Sequence, residues 1–376
     1  MFSENAKKHA DACRFCYMCR HLCPVELVTG KENNTPRAKG LLVSMMERGM
    51  KMDRGCAATM YECLLCGACT ADCVTGFDPL VFIREARTQA LLEDVVPDFA
   101  QKVIDRILQT GNAYGARKAK VNYDEIPEKG DLLVWLGSAA RYAVDDVAQA
   151  LFTILKIAGV DFAALHDEPA SGCELGDMIG YVEEVRSQAK AAAAAIAGTG
   201  ARCLLVLDSH DAAFFLHQYQ DWGIELPEII TATAFVDELI QKGRLSPRKV
   251  AEVVSYHDAA RLSRDLGVLD HPRSIIRAMG AEIHEMYLNE KDNKNTDNHA
   301  CGSSVRAREC GSSLMGQMLP GMAKQLCEKR YADLMRTDAR ILISADPQAT
   351  ESLRLSVPQG VVLRDLFVML AQRLEV

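Results

Sequence analysis

Two cysteine runs with identical spacing constrain this sequence more than any other feature. The first reads Cys13-x-x-Cys16-x-x-Cys19-x-x-x-Cys23-Pro24, and the second Cys63-x-x-Cys66-x-x-Cys69-x-x-x-Cys73. Three cysteines this close together can wrap three iron corners of one cube, and a fourth thiolate must then come from elsewhere. Two copies of the pattern predict two [4Fe–4S] clusters. Structural zinc takes separated pairs of ligands, and a redox dithiol needs only one C-x-x-C, so the doubled spacing fits neither.

Where two such runs share a chain, as in two-cluster ferredoxins, the fourth cysteine of each ligates the other cluster. The expected sets are therefore Cys13, Cys16, Cys19 and Cys73 for one cluster, and Cys63, Cys66, Cys69 and Cys23 for the other. Val74 stands where the first run has Pro24, which changes the chain's exit from the cluster without removing a ligand.

Residues 1–80 hold nine of the fourteen cysteines, and this density marks a first domain. A length of 376 residues suggests two or three domains, and 49% apolar with 25% charged residues is globular composition. The net charge of −8 gives no reason to expect nucleic acid or an anionic membrane as partner. The opening MFSENAKKHADAC lacks an apolar leader core, and no apolar run is long enough to span a bilayer. These features read as a cytoplasmic chain and leave open peripheral attachment through a partner. Clustered cysteines then read as metal ligands rather than disulfides.

Between the runs, Thr35 and Pro36 suit the start of a helix and Gly49 its end. Arg37 and Lys39 are expected as solvated charges on it, with Leu41, Leu42, Met45 and Met46 on its apolar side. Met50 and Met52 offer an adaptable docking surface. Residues 81–125 show a helical apolar period closed by Gly111-Asn112.

From Asp131 the pattern alternates strand and helix, with strands expected at Leu132–Leu136, Val160–Leu165 and Ala201–Leu207. It recurs at Lys249–Ser255, Ala281–Met286 and Arg340–Ser344, some 120–140 residues on. The expected architecture is α+β to α/β: a helical two-cluster, ferredoxin-like domain at 1–125, then α/β repeats at 126–245 and 246–376.

The paired cluster motifs, Thr110-Gly111-Asn112-Ala113-Tyr114-Gly115 and the two repeats together resemble a known family across nearly the whole chain. It comprises the iron–sulfur subunits of glycolate oxidase and of anaerobic glycerol-3-phosphate dehydrogenase, with the D-type subunit of heterodisulfide reductase. Its repeats carry cysteine-rich "CCG" motifs, which here are degenerate. Tyr256-His257-Asp258-Ala259-Ala260 has alanine where cysteine is expected, His299-Ala300-Cys301-Gly302 keeps one cysteine, and Ala345-Asp346-Pro347-Gln348-Ala349 keeps none. The first repeat is equally reduced at Gly137-Ser138, Ala170-Ser171-Gly172 and Ser209-His210-Asp211-Ala212. The resemblance thus implies metal-free repeats serving as docking scaffold, with contact at turns such as His257-Asp258. His257, His299, Cys301 and Cys310 show no spacing that converges four ligands. Cys56, Cys173, Cys203 and Cys327 read as buried thiols.

No glycine fingerprint for a dinucleotide follows a strand, so flavin or nicotinamide would come from another subunit. The implied role is an electron-transfer subunit with no catalytic residue of its own. It would take electrons from an FAD-containing dehydrogenase acting on a hydroxy acid or polyol, and pass them through two [4Fe–4S] clusters to a quinone or another carrier. The alternative is a heterodisulfide-reductase-like thiol/disulfide oxidoreductase, against which the missing cysteines count. A redox sensor finds no DNA-binding pattern to support it.

Overall fold

Residues 2–287 and 308–374 are described by a computed structural model. Eight helices come first: α1 Glu4–Asp11, α2 Met18–Leu22, α3 Pro24–Thr29, α4 Pro36–Glu47, α5 Arg54–Tyr61, α6 Ala68–Ala71, α7 Pro79–Leu92 and α8 Asp98–Thr110. Their ends follow local chemistry. Thr35 Oγ1 accepts from Ala38 N at 3.1 Å and Pro36 opens α4, where its missing N–H costs nothing. Asp78 and Pro79 do the same for α7, and Gly111 closes α8 in the left-handed region at φ 77°.

Two parallel sheets follow. The first comprises β1 Leu132–Trp135, β2 Ala163–Ala164, β3 Cys203–Val206 and β4 Glu228–Thr231, in the order β2-β1-β3-β4. The second comprises β5 Val253–Tyr256, β6 Glu282–Ile283, β7 Ile341–Ser344 and β8 Val362–Asp365, in the equivalent order β6-β5-β7-β8. The second and sixth strands are far shorter than expected, two residues each. Strands β4 and β8 have no counterpart in the sequence reading.

Alternation along the first sheet explains how the layers stack. Leu132, Val134 and Leu205 point into a core shared with the second repeat, beside Val254, Leu342 and Leu370. Leu133, Trp135, Leu204 and Val206 point the opposite way, into a core built with Phe82, Ile104 and Met60 of the N-terminal helices. A sheet buried on both faces needs apolar residues at consecutive positions, which Leu-Leu-Val-Trp supplies. Burying each such side chain contributes about 1.5–3 kcal/mol. The first repeat is thus the middle layer.

Helix Cys173–Ile179 of that repeat lies directly on α7. Arg84 reaches Asp177 at 3.0 Å and Thr88 Oγ1 donates to Ile179 O at 2.7 Å. Gly180, at φ 79°, permits this approach, since a Cβ there would stand 2.1 Å from Thr88 Oγ1.

Candidate metal centres

Both cysteine runs are built on the same local plan. Phe15 (φ 54°) and Tyr17 (φ 65°) adopt the left-handed region in the first run. Leu65 (φ 52°) and Gly67 (φ 74°) adopt it at the equivalent positions of the second. Only one of the four is glycine, so the geometry is held at a cost of about 1–3 kcal/mol per non-glycine residue. It aims backbone N–H groups inward: Phe15 N donates to Cys13 Sγ at 3.4 Å and Leu65 N to Cys63 Sγ at 3.3 Å. Helices α2 and α6 then start two residues after the second cysteine and carry the third.

The eight thiols gather in two groups. One cavity is lined by Cys23, Cys63, Cys66 and Cys69 together with Pro24, Pro36, Lys39 and Leu80. Burial pushes the Cys23 thiol up to about 12, with Lys39 opposing and Cys63 and Cys66 adding to the rise. Burial also holds Cys69 well above its ordinary range, with Cys66, Cys63, Cys23 and then Cys19 of the other group adding to the rise. Cys19 is raised to about 11 by burial, against the Arg37 backbone N–H, and its thiol neighbours are Cys13, Cys16 and Cys73. Burial would raise Cys73 too, but the Thr75 hydroxyl and the N–H groups of Thr75, Gly76 and Phe77 keep it below its ordinary value. Those donors occupy the exit where the first run has Pro24, while Val74 points into solvent at 97% exposure.

These surroundings fit an anionic cluster. Lys39 is fully buried, and its ammonium donates to the Asn34 carbonyl at 3.0 Å, beside the second thiol group. This corrects its reading as a solvated charge: a buried cation calls for an anion close by. Arg87, 2% exposed, donates to the carbonyls of Cys63 at 2.7 Å and Met60 at 2.9 Å. Arg264 reaches over from the second repeat to the Cys66 carbonyl at 2.7 Å. The first group lies nearer solvent, with Cys16 exposed. The sequence marks none of Lys39, Arg87 or Arg264 as a neighbour of the thiols, because each acts through backbone carbonyls that no spacing encodes.

Polar side chains occupy the degenerate motif positions of the repeats. In the first, Trp135 Nε1, Ser171 Oγ and Cys173 Sγ converge on Asp211 at 2.8, 2.5 and 2.9 Å. In the second, ligand-type atoms of His257, Glu309 and Cys310 lie within 4.8 Å of one another. Arg330 Nε donates to His257 Nδ1 at 3.1 Å, so the ring proton belongs on Nε2, facing Glu309 at 3.5 Å. His299 and Cys301 lie outside the described residues. Turn residues His257 and Asp258 are fully buried, which removes them from any docking face, and Met52 is buried as well. Among the cysteines read as buried thiols, Cys173 and Cys327 are, while Cys56 and Cys203 are partly exposed.

Residues 9–77 match the family described as "4Fe-4S dicluster domain", which supports two [4Fe–4S] clusters in this chain. Over its whole length the chain is similar to the D-type subunit of the dihydromethanophenazine:CoB--CoM heterodisulfide reductase of Methanosarcina acetivorans, at 27% identity over 97% of this chain and 94% of that protein. It is 25% identical to a probable membrane-anchored ferredoxin of Chromohalobacter salexigens over 85% of this chain, spanning 49% of that protein's length. It is also 25% identical to the EtfAB:quinone oxidoreductase of Syntrophomonas wolfei over 67% of this chain and 38% of that protein.

Proposed function

For this chain, an iron–sulfur protein of the oxidoreductase electron-transfer kind, we propose that Cys13, Cys16, Cys19 and Cys73 hold one [4Fe–4S] cluster and Cys63, Cys66, Cys69 and Cys23 the other. The reading extends to a relay subunit between an FAD-containing dehydrogenase and a quinone or another carrier. What supports it is the cavity lined by Cys23, Cys63, Cys66 and Cys69, and the neighbourhood of Cys19 with Cys13, Cys16 and Cys73 nearer solvent. When bound, each cluster accepts and releases a single electron, which lets a two-electron flavin donor discharge in steps. The chain's own part is electrostatic and geometric. Left-handed residues aim N–H groups at sulfur, Lys39 balances negative charge, and Arg87 and Arg264 hold the second ligand loop between the layers.

No helix among the described residues is long and apolar enough to cross a membrane. The reading places the chain in the cytoplasm, with any membrane attachment made through a partner. The full-length likeness to a heterodisulfide reductase subunit supports a second reading, thiol/disulfide chemistry in the repeats. Against it, Cys173 and Cys310 are buried, and burial beside Asp211 and Glu309 pushes both thiols well above their ordinary range. High thiol pKa disfavours the thiolate that such chemistry needs. The test is anaerobic mixing with a co-purifying flavoprotein and its substrate. Bleaching of the iron–sulfur absorbance is expected, and substrate or disulfide turnover by this chain alone would refute the relay role.

A further inference from the structure

Beside the first thiol group lies an apolar stripe that the described chain leaves open. Phe15 is 52% exposed, Tyr17 47%, Met18 48%, Leu41 46% and Met45 42%. They form one surface through Arg37, whose guanidinium lies 5.5 Å from the Phe15 ring centroid and 4.6 Å from that of Tyr17. Arg37, Leu41 and Met45 follow at four-residue steps along α4, so they share a helix face. The stripe runs from the ligand loop of Cys13, Cys16 and Cys19 along that helix.

The segment that carries it is net basic by sequence, unlike the rest, although Arg37 is paired with Glu32, Arg20 with Glu26 and Lys7 with Glu47, and Lys39 is buried. Residues 1–60 carry ten Lys and Arg against six Asp and Glu, whereas the remaining residues carry 33 against 45. Arg14 is exposed and donates to the carbonyls of Asp11 and Cys13, at 2.9 and 3.2 Å, with no carboxylate partner among the described residues. Arg48 is exposed one turn beyond Met45. Aromatic, methionine and arginine side chains in this arrangement have the composition of a protein interface, an apolar centre with a charged rim.

Resting on the relay reading above, we propose that this stripe is the docking face for an acidic electron-carrier protein, whose negative rim meets Arg14 and Arg48 while Phe15, Tyr17, Leu41 and Met45 form the dry centre. Docking there puts the partner's cofactor against the more exposed thiol group. A lipid surface is less well matched, since it would seal that group away from any electron carrier.

The test uses cluster-loaded protein and photoreduced flavodoxin, an acidic one-electron flavoprotein, with dithionite as the small-reductant control. Bleaching by flavodoxin should slow at least tenfold between about 50 and 300 mM salt, as steered association does. It should slow about tenfold in the Leu41→Glu/Met45→Glu variant and about fivefold in Arg14→Glu, with dithionite rates unchanged. Calorimetric affinity for oxidised flavodoxin should fall in parallel. Unchanged flavodoxin rates and affinity in both variants would overturn the proposal. So would variants that instead abolish binding to phosphatidylglycerol vesicles, or convert a dimer of this chain to monomer. Protein that dithionite cannot bleach would overturn the relay reading itself.

Discussion

Ser209 Oγ donates to Asp346 Oδ2 at 2.5 Å, joining the turn after β3 of one repeat to the turn after β7 of the other. The reverse contact also exists: Gln348 Nε2 donates to both oxygens of Asp208 at 3.2 Å. Asp208 and Asp346 occupy equivalent places, and each caps the helix that follows it, through His210 N at 2.8 Å and Ala349 N at 2.9 Å. The repeats are therefore locked by a reciprocal pair at the carboxyl ends of their central strands, where open parallel sheets ordinarily receive ligands.

Asp346→Ala removes a helix cap and leaves the buried Ser209 N–H and hydroxyl without their acceptor. The expected cost is about 2–4 kcal/mol, read as a fall in the anaerobic melting temperature, whereas Ser209→Ala should cost about 1 kcal/mol.

Stability should decline as pH rises from about 4.5 to 8. Burial pushes Glu174 up to about 8 and Asp365 to about 7, despite donors from Ala113 N and from Val368 N respectively. Between the unfolded and folded pKa values the native state binds more protons than the unfolded chain. The stabilisation is therefore complete below the unfolded pKa and is lost as pH passes the folded one. Glu174→Gln should flatten the melting-temperature profile over this range, and a profile of unchanged slope would contradict the assignment.

Lys39→Met removes the buried cation beside Cys23. A unit charge within several ångströms, at an effective dielectric near 20, corresponds to a shift on the order of 100 mV. An anaerobic redox titration followed by electron paramagnetic resonance should show the second cluster lowered by that order, with the first little changed.

Arg87→Met strands the carbonyls of Met60, Cys63 and Asp177, which the guanidinium otherwise satisfies. The expected loss is roughly 3 kcal/mol, visible as earlier loss of iron on heating, and Arg87→Lys should recover only part of it.

Much of this arrangement is legible in the sequence, and the limits have physical causes. The cysteine spacing makes three ligands of each proposed set legible because they lie close along the chain, while the fourth comes from the other run. The capped start of α4 and the Gly111 stop are equally local. Lys39 reads like any charge near a helix start, since its burial comes from packing in the cavity it lines with Cys23, Pro24 and Cys63, residues the local pattern does not link to it. Strands β4 and β8 stay hidden because Glu228-Ile-Ile-Thr and Val362-Leu-Arg-Asp are four-residue edge strands whose side chains are mostly not fully buried. The burial of His257 and Asp258 follows from Arg330 and Arg273 closing over them, at 3.1 Å for His257 Nδ1 and 2.7 Å for Asp258 Oδ2. Such contacts join residues far apart in the chain.

The crossed pairing of the two runs is most directly tested by electron paramagnetic resonance of reduced Cys73→Ser, Cys19→Ser and Cys23→Ser proteins, each with iron counted. Wild-type protein should hold about eight iron and eight sulfide. Cys73→Ser and Cys19→Ser should disturb the same signal, and Cys23→Ser the other. A Cys73→Ser protein that loses the signal sensitive to Cys66→Ser, and keeps the one sensitive to Cys19→Ser, would contradict the account.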